Sequence, residues 1–316
     1  MPRGDAIEDA AYCAIAAILA PFNPPLAIRM SDAPATLPLP WPIDLRLTVL
    51  SHGWARLAPW HWDSDAGRLA RRERIGARLG TIAVTQDGPQ HLAVQAEGFA
   101  ASDRPELLRR VKRWLSADWD PAPAVAALAG TAPDEAALIA QGAGRILRCS
   151  TFYEDFVKTV LTINVSWSAT LRMSAALVAE PGGGAFPVPA AVLDYGETRL
   201  RERARLGFRA ATVIAATRRM LQDGILAADG QADETRLDRA YLTGLKGIGP
   251  YAAAHCGLLL HDFRHIPVDT VAVADISERF GQTPAEFAAS RAAWGAYLAL
   301  GYKLTRLRAR LGQPPG

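Results

Sequence analysis

Gly247 and Gly249, set in the run Leu245-Lys246-Gly247-Ile248-Gly249-Pro250-Tyr251-Ala252-Ala253-Ala254, constrain this chain more than any other residues. Glycine reaches backbone conformations closed to other residues and lets the main chain approach a phosphate closely. The run predicts a hairpin whose amides point outward where the next helix begins, and a helix N-terminus favours an anion. Ala252 to Leu260 is apolar enough for a buried helix of about two to three turns, and Pro267 interrupts the chain just before Asp269. The eighteen residues from Tyr251 to Asp269 can therefore set one carboxylate beside a phosphate-gripping hairpin. A plain structural turn is the competing reading of the glycines, and Pro267-Val268-Asp269 at this distance makes it the weaker one.

The 316 residues suffice for two or three packed units, and with 50% of them hydrophobic a large core needs no covalent staples. Cys13, Cys149 and Cys256 are far apart and odd in number, which argues against a disulfide framework and against a thiolate-rich metal site. A net charge of +3 is mildly basic, yet the arginines cluster: Arg68, Arg71, Arg72, Arg74 and Arg78 in one segment, Arg199, Arg201, Arg203, Arg205 and Arg209 in another. Such runs hold phosphates or form solvated faces; Lys303, Arg306, Arg308 and Arg310, at helical spacing, leave the same choice. No apolar stretch reaches the roughly 20 residues that cross a bilayer. Ala10 to Phe22 is too short, and its acidic flank Asp5, Glu8 and Asp9 is wrong for a secretory signal. No membrane partner and a cytoplasmic, nucleoid-associated protein are expected.

Three regions follow from the patterning. Residues 1–36 read as a leader or helix. Residues 37–104 read as a β-rich domain: Ile43 to Val49 alternates apolar and polar side chains, and Arg68 to Ile75, Leu79 to Val84 and His91 to Glu97 supply further antiparallel strands between glycine turns. From Pro105 onward Leu107, Leu108, Val111 and Leu115 recur at helical intervals, and residues 105–316 read as helices with short breaks. Pro181 to Pro189, with three successive glycines, predicts a flexible connection. The fold class is α+β.

The hairpin with its Asp269 resembles the helix-hairpin-helix, Gly/Pro-Asp superfamily of DNA glycosylases. Gly144-Arg145-Ile146-Leu147-Arg148, the run Phe152 to Trp167, Leu206-Gly207-Phe208-Arg209-Ala210, Trp294-Gly295-Ala296-Tyr297 and the stretch Asp44 to Trp60 are similar to landmarks of its branch related to 3-methyladenine DNA glycosylase II. The resemblance covers most of the chain. It implies two helical subdomains with the active site between them, a probe-and-flip enzyme acting on double-stranded DNA as a monomer, and a monovalent Na or K ion on hairpin carbonyls such as those of Leu245 and Gly247. Some relatives carry an iron-sulfur cluster on four close cysteines, which three scattered ones cannot bind.

Cleaving a base from deoxyribose builds positive charge on the sugar, which a carboxylate stabilises while orienting water. Asp269 is the candidate, with a helix N-cap as its compatible structural role. Bifunctional relatives place a Schiff-base lysine where Tyr251 stands, so the resemblance implies a monofunctional enzyme without abasic-site lyase activity. The extruded base needs stacking partners: Tyr251 and Trp294 stand where relatives place aromatic pocket walls, and His255, one turn after Tyr251, faces the same way. Core packing is the alternative for all three. Asn164, at a break between helices, is the candidate to fill the vacated stack and hold the opposite base, or else a cap. Trp167 reads as core. Phosphate contacts are expected from the amides of Gly247, Gly249 and Tyr251. An alkylated purine such as 3-methyladenine is the expected substrate; 8-oxoguanine, a hypermodified base of foreign DNA, and a non-catalytic DNA-binding protein are the alternatives.

Overall fold

A computed structural model describes residues 34–310 and residue 312. Five antiparallel strands, β1 (Ala35–Pro38), β2 (Trp60–Asp63), β3 (Arg68–Ile75), β4 (Arg78–Gln86) and β5 (His91–Glu97), form one sheet in the order β1-β5-β4-β3-β2. The helix α1 (Leu45–Val49) lies between the first two strands. Among the described residues all other α-helices follow the sheet: α2 (Arg104–Trp114), α3 (Ala122–Leu128), α4 (Pro133–Ala140), α5 (Phe152–Leu161), α6 (Trp167–Ala179), α7 (Pro189–Tyr195), α8 (Glu197–Glu202), α9 (Arg209–Gln222), α10 (Arg239–Gly244), α11 (Pro250–Leu259), α12 (Thr270–Phe280), α13 (Pro284–Ser290) and α14 (Leu298–Arg310). The α+β class and the sheet near the N-terminus are as expected. Among the described residues no helix is long and apolar enough to cross a membrane.

Three expectations are corrected. Ile43 to Val49 is not a strand. Leu45, Thr48 and Val49 are buried at the i, i+3, i+4 positions of α1, so the pattern that alternates also satisfies a helical stripe. Asp44 decides between them by accepting from the Leu47 amide at 2.8 Å as N-cap. The glycines of 181–189 are pinned rather than loose: Arg74 donates to the carbonyls of Gly182 and Gly183 at 3.3 and 3.1 Å, and Gly184 packs beside Arg72 and Leu79. The leader assigned to residues 1–36 lies outside the described residues up to position 33, and Ala35 already belongs to β1.

Two hydrophobic cores organise the chain, and neither ends near residue 104. One joins the buried face of the sheet (Leu69, Ile82, Val84, Leu92) to α2 to α4 and, from the other end of the sequence, to Ile276, Phe287, Trp294 and Leu300. The second runs from Phe152 to Cys256 and is mostly helical, with Phe156, Val160, Leu206, Val213, Leu245 and Ile248 among its members. The chain thus leaves the first unit at α5, completes the second, and returns through α12 to α14. The two units meet across a cleft.

A buried ionic cluster locks the sheet to α5. Arg71 on β3, 1% exposed, grips Glu154 through two bonds of 3.2 and 2.9 Å and pairs with Glu73. Glu73 also binds Arg110 and Ser150, and Lys158 reaches Glu154 at 2.8 Å. Burial pushes the Glu154 carboxyl up, but the Arg71 and Lys158 charges outweigh it and hold it at about 2. Within the arginine run of β3 and β4, Arg71 is therefore turned inward, while Arg72 remains exposed. Arg68 and Arg78 pair with Asp63 and Asp103, and Arg74 caps the glycine loop. Glu154→Ala leaves Arg71 and Lys158 buried without their shared partner and should cost about 3–5 kcal/mol of stability. Urea unfolding measures it; a loss below about 1 kcal/mol would mean the cluster behaves like an exposed pair.

Candidate active site

The hairpin forms as its glycines predict. Leu245 and Ile248 are buried in the second core, and the Ile248 amide closes the turn onto the Leu245 carbonyl at 3.1 Å. Gly247 has φ +83°, and a side chain there would meet Thr212 Oγ1 at 2.5 Å from its Cβ. Gly249 differs: it is the N-cap of α11 in extended backbone, with open space where a Cβ would project. Lys246 is exposed beside it. Gly247 and Gly249 are exposed, and the first turn of α11 beside them leaves amides without intrahelical partners, which is the chemistry an anion-binding edge requires.

Asp269 is the N-cap of α12. Its Oδ1 accepts from the Ala272 amide at 2.7 Å, and its second oxygen has no hydrogen-bond partner among the described residues. Cap and candidate acid are thus one residue: the cap bond fixes the carboxylate, and the free oxygen is available to a sugar or a water. Asp269 lines a cleft of about 1060 Å³ together with Tyr251, His255, His52, Trp54, Thr162, Trp167, Tyr302, Lys303, Arg306 and Arg310.

Tyr251 and His255 both face the cleft from α11, their ring centres 6.0 Å apart. The Tyr251 hydroxyl lies 3.3 Å from Thr162 Oγ1, and burial first, with the nearby Asp269 charge, raises its pKa. His255 packs 4.9 Å from Trp54, and His52 stands 5.7 Å from His255. Burial, reinforced by the positive charge of Lys303, lowers His255 to about 3 and His52 well below its ordinary value. Both rings are neutral at pH 7. His52 Nε2 lies 2.7 Å from the Leu147 carbonyl, which can only accept, so this nitrogen carries the proton and Nδ1 keeps its lone pair. His52 Nδ1 and His255 Nε2 are buried with no hydrogen-bond partner among the described residues.

Trp294 does not line the cleft. It is buried 6.0 Å from Phe287, over Gly301, whose Cβ would overlap the indole at 2.4 Å. The aromatic walls come from Trp54, Trp62 and Trp167 instead. Trp167, expected in the core, is half-buried at the cleft and pressed against Gly53, where a Cβ would meet its ring at 2.4 Å. Asn164 is exposed on the turn between α5 and α6 with φ +47°, a conformation asparagine tolerates better than most residues. Arg209 donates to the Ile163 and Asn164 carbonyls and holds this turn, while Ser166 is the cap of α6. Thr162 and Trp167 on either side of the turn line the cleft. Sequence reasoning missed His52, Trp54 and Tyr302, and only the helical spacing of Lys303, Arg306 and Arg310 hinted at a cationic side. Arg308 on the same helix points the other way, into Asp134 and Glu135.

No family model matches the chain, and no curated protein matches its sequence. Solved structures do match it. A 3-methyladenine DNA-glycosylase from Archaeoglobus fulgidus is 19% identical and superposes with a TM-score of 0.62 over 88% of this chain and 98% of that one. An apo 8-oxoguanine glycosylase/lyase from Clostridium acetobutylicum is 13% identical, with a TM-score of 0.62 over 88% and 96%. The same enzyme in complex with double-stranded DNA containing cytosine opposite 8-oxoG is 14% identical, with a TM-score of 0.60 over 90% and 98%. The chain shares the fold of these DNA glycosylases.

The two neutral histidines link the site to stability. Their folded pKa values lie below the unfolded value of about 6.5, so the unfolded chain binds more protons below that pH. Their contribution is complete above pH 6.5 and is lost as pH falls toward the folded values. Each should remove about 1.4 kcal/mol per pH unit in that window. His255→Phe should make the fall between pH 7.5 and 5.5 smaller in urea titrations; an unchanged fall would mean that His255 is not buried neutral.

Proposed function

We propose that this protein is a DNA N-glycosylase of base-excision repair. The observation that carries the reading is Asp269, held by its cap bond with one oxygen free, in the cleft that also contains the α11 aromatic and lies at the end of an outward-facing glycine hairpin. The hairpin amides grip the DNA backbone regardless of sequence. A monovalent cation at the hairpin would be held by carbonyls such as those of Leu245 and Gly247, and would supply positive charge toward a phosphate. Asn164 projects from its exposed turn toward the opposite base, and the extruded nucleotide enters among Tyr251, Trp54 and Trp167. As the base leaves, the Asp269 carboxylate stabilises the cationic sugar and aligns water for attack at C1′. The hairpin position carries Tyr251 rather than an amine, so this step is hydrolytic.

The aromatic walls suit an alkylated purine such as 3-methyladenine, whose positive charge is attracted to ring faces. A second reading is favoured by the charges: Lys303, Arg306 and Arg310 line the same cleft, where Asp269 is the one acid among the described residues, and this surplus suits an uncharged base such as 8-oxoguanine. Bases released from methylated and from oxidised DNA, identified by mass spectrometry, separate the two.

Asp269→Asn should lower base release by about two to four orders of magnitude while leaving DNA affinity within a few-fold. Equal loss of binding would make Asp269 a structural cap only. Gly249→Ala, which meets no protein atom, should weaken binding to all duplexes alike without lowering stability, as followed by fluorescence anisotropy. Unchanged affinity would remove the hairpin from the interface. Gly247→Ala is the poorer probe, because its positive φ and Thr212 would disturb the turn itself.

A further inference from the structure

Tyr251 lines the cleft from the first turn of α11, and its hydroxyl meets one partner among the described residues, Thr162 Oγ1 at 3.3 Å. The direction of that bond follows from the partner's other contact. Thr162 Oγ1 lies 2.7 Å from the Thr159 carbonyl, which can only accept, so the single threonine hydroxyl proton is spent there. Only lone pairs remain on Oγ1, and Tyr251 is therefore the donor. Burial first, opposed less strongly by the Thr162 bond, raises the Tyr251 phenol above its ordinary value, so it keeps that proton at neutral pH. The acceptor is itself fixed. Thr162 closes the end of α5 with its amide on the Thr159 carbonyl at 3.0 Å, and Arg209 donates to the carbonyls of the next two residues, Ile163 and Asn164. Both side chains are half-buried, and Tyr251 packs against the second core.

We propose that Thr162 is a positioning residue that sets the Tyr251 ring and occupies its hydroxyl proton, so that Tyr251 meets an extruded base with its ring face and not with a hydrogen-bond donor. One proton cannot serve Thr162 and also a base or the Asp269 carboxylate. The second Asp269 oxygen therefore stays open to water or sugar, and the base is selected by stacking on Tyr251 rather than by a bond to its phenol. A ring held at its hydroxyl by α5 and at its backbone by α11 has already lost the freedom that a base would otherwise have to remove on binding. The role rests on the glycosylase reading for what occupies the cleft; the hold of Thr162 on Tyr251 does not.

Exchanging both partners separates this role from simple packing, because an unpartnered buried hydroxyl is costly whereas an apolar pair of the same shape is close to neutral. Base release from methylated or oxidised duplex, whichever the wild type acts on, is measured for Thr162→Val, Thr162→Ser, Tyr251→Phe and the Thr162→Val, Tyr251→Phe double variant. Thr162→Val should lower kcat/KM about tenfold. Thr162→Ser, which keeps the hydroxyl, and Tyr251→Phe, which gives up a proton the base never uses, should stay within about threefold of wild type. The double variant should recover to within about threefold of Tyr251→Phe alone. In urea unfolding, with no substrate present, Thr162→Val should change the equilibrium constant about fivefold more in the wild-type background than in Tyr251→Phe. Equal losses in the two backgrounds would confine Thr162 to closing α5 and overturn the proposal. A loss of about tenfold or more in Tyr251→Phe would also overturn it, since the phenol proton would then serve the reaction. No base released by the wild type from either DNA, with the coupling in unfolding intact, would count against the glycosylase reading and leave the hold of Thr162 on Tyr251 standing, so the two failures are distinguishable.

Discussion

The grip of Arg71 on Glu154 is the interaction on which the rest of the structure depends, because it fixes the sheet to the helix that opens the second unit. Next to Glu154 on α5, Asp155 accepts from Trp54 Nε1 at 3.0 Å and from the Cys149 amide at 2.8 Å, and pairs with Arg113 at 2.8 Å. Successive carboxylates on one helix thus hold β3 and the loop that carries His52 and Trp54. That loop is a wall of the cleft. Two charges taken out of water repay their desolvation only in good geometry with their remaining lone pairs filled, and both carboxylates meet that condition. The ionic cluster specifies how the units dock, where apolar surface alone would leave the angle free.

Docking geometry in turn sets the chemistry. The cleft lies between a core that closes on itself only through the last three helices and a second core inserted between its halves. Asp269 and Lys303 come from the returning segment, Tyr251 and His255 from the inserted one, and His52 and Trp54 from the N-terminal one. No segment alone assembles the site. A small change in the angle between units would part His255 from Trp54 and shift Asp269 relative to the hairpin, so the ionic cluster sets how the cleft residues face one another.

The parts of this arrangement that were legible in the sequence are those set by local chemistry. Gly247 needs its left-handed backbone, Asp269 precedes a helix, and strands β3 and β5 carry their turns with them. What depends on distant partners was not legible. Arg71 and Glu73 sit on β3 among arginines that look like a phosphate patch, and only Glu154, more than eighty positions on, shows that they face inward. Trp294 lies in a motif at helical spacing, but spacing does not say which neighbour leaves room for the indole, and Gly301 does. Trp54 and Trp167 differ from other buried-looking tryptophans only through Asp155 and Gly53. The helix at Leu45–Val49 fits two periodicities, and a single cap bond chose between them.

The charges of the cleft show why its histidines must be neutral. Lys303, Arg306 and Arg310 already make one side of the cleft positive, and another cation beside Lys303 would be repelled at short range with little solvent to screen it. The Leu147 carbonyl reinforces the outcome, since it fixes the proton of His52 on Nε2 and leaves Nδ1 as an acceptor. Protonating that nitrogen would place a charge where burial and Lys303 both oppose it. The cleft therefore divides its charge: Arg306 and Arg310 carry positive charge on one helix, while uncharged imidazoles and indoles line the other walls.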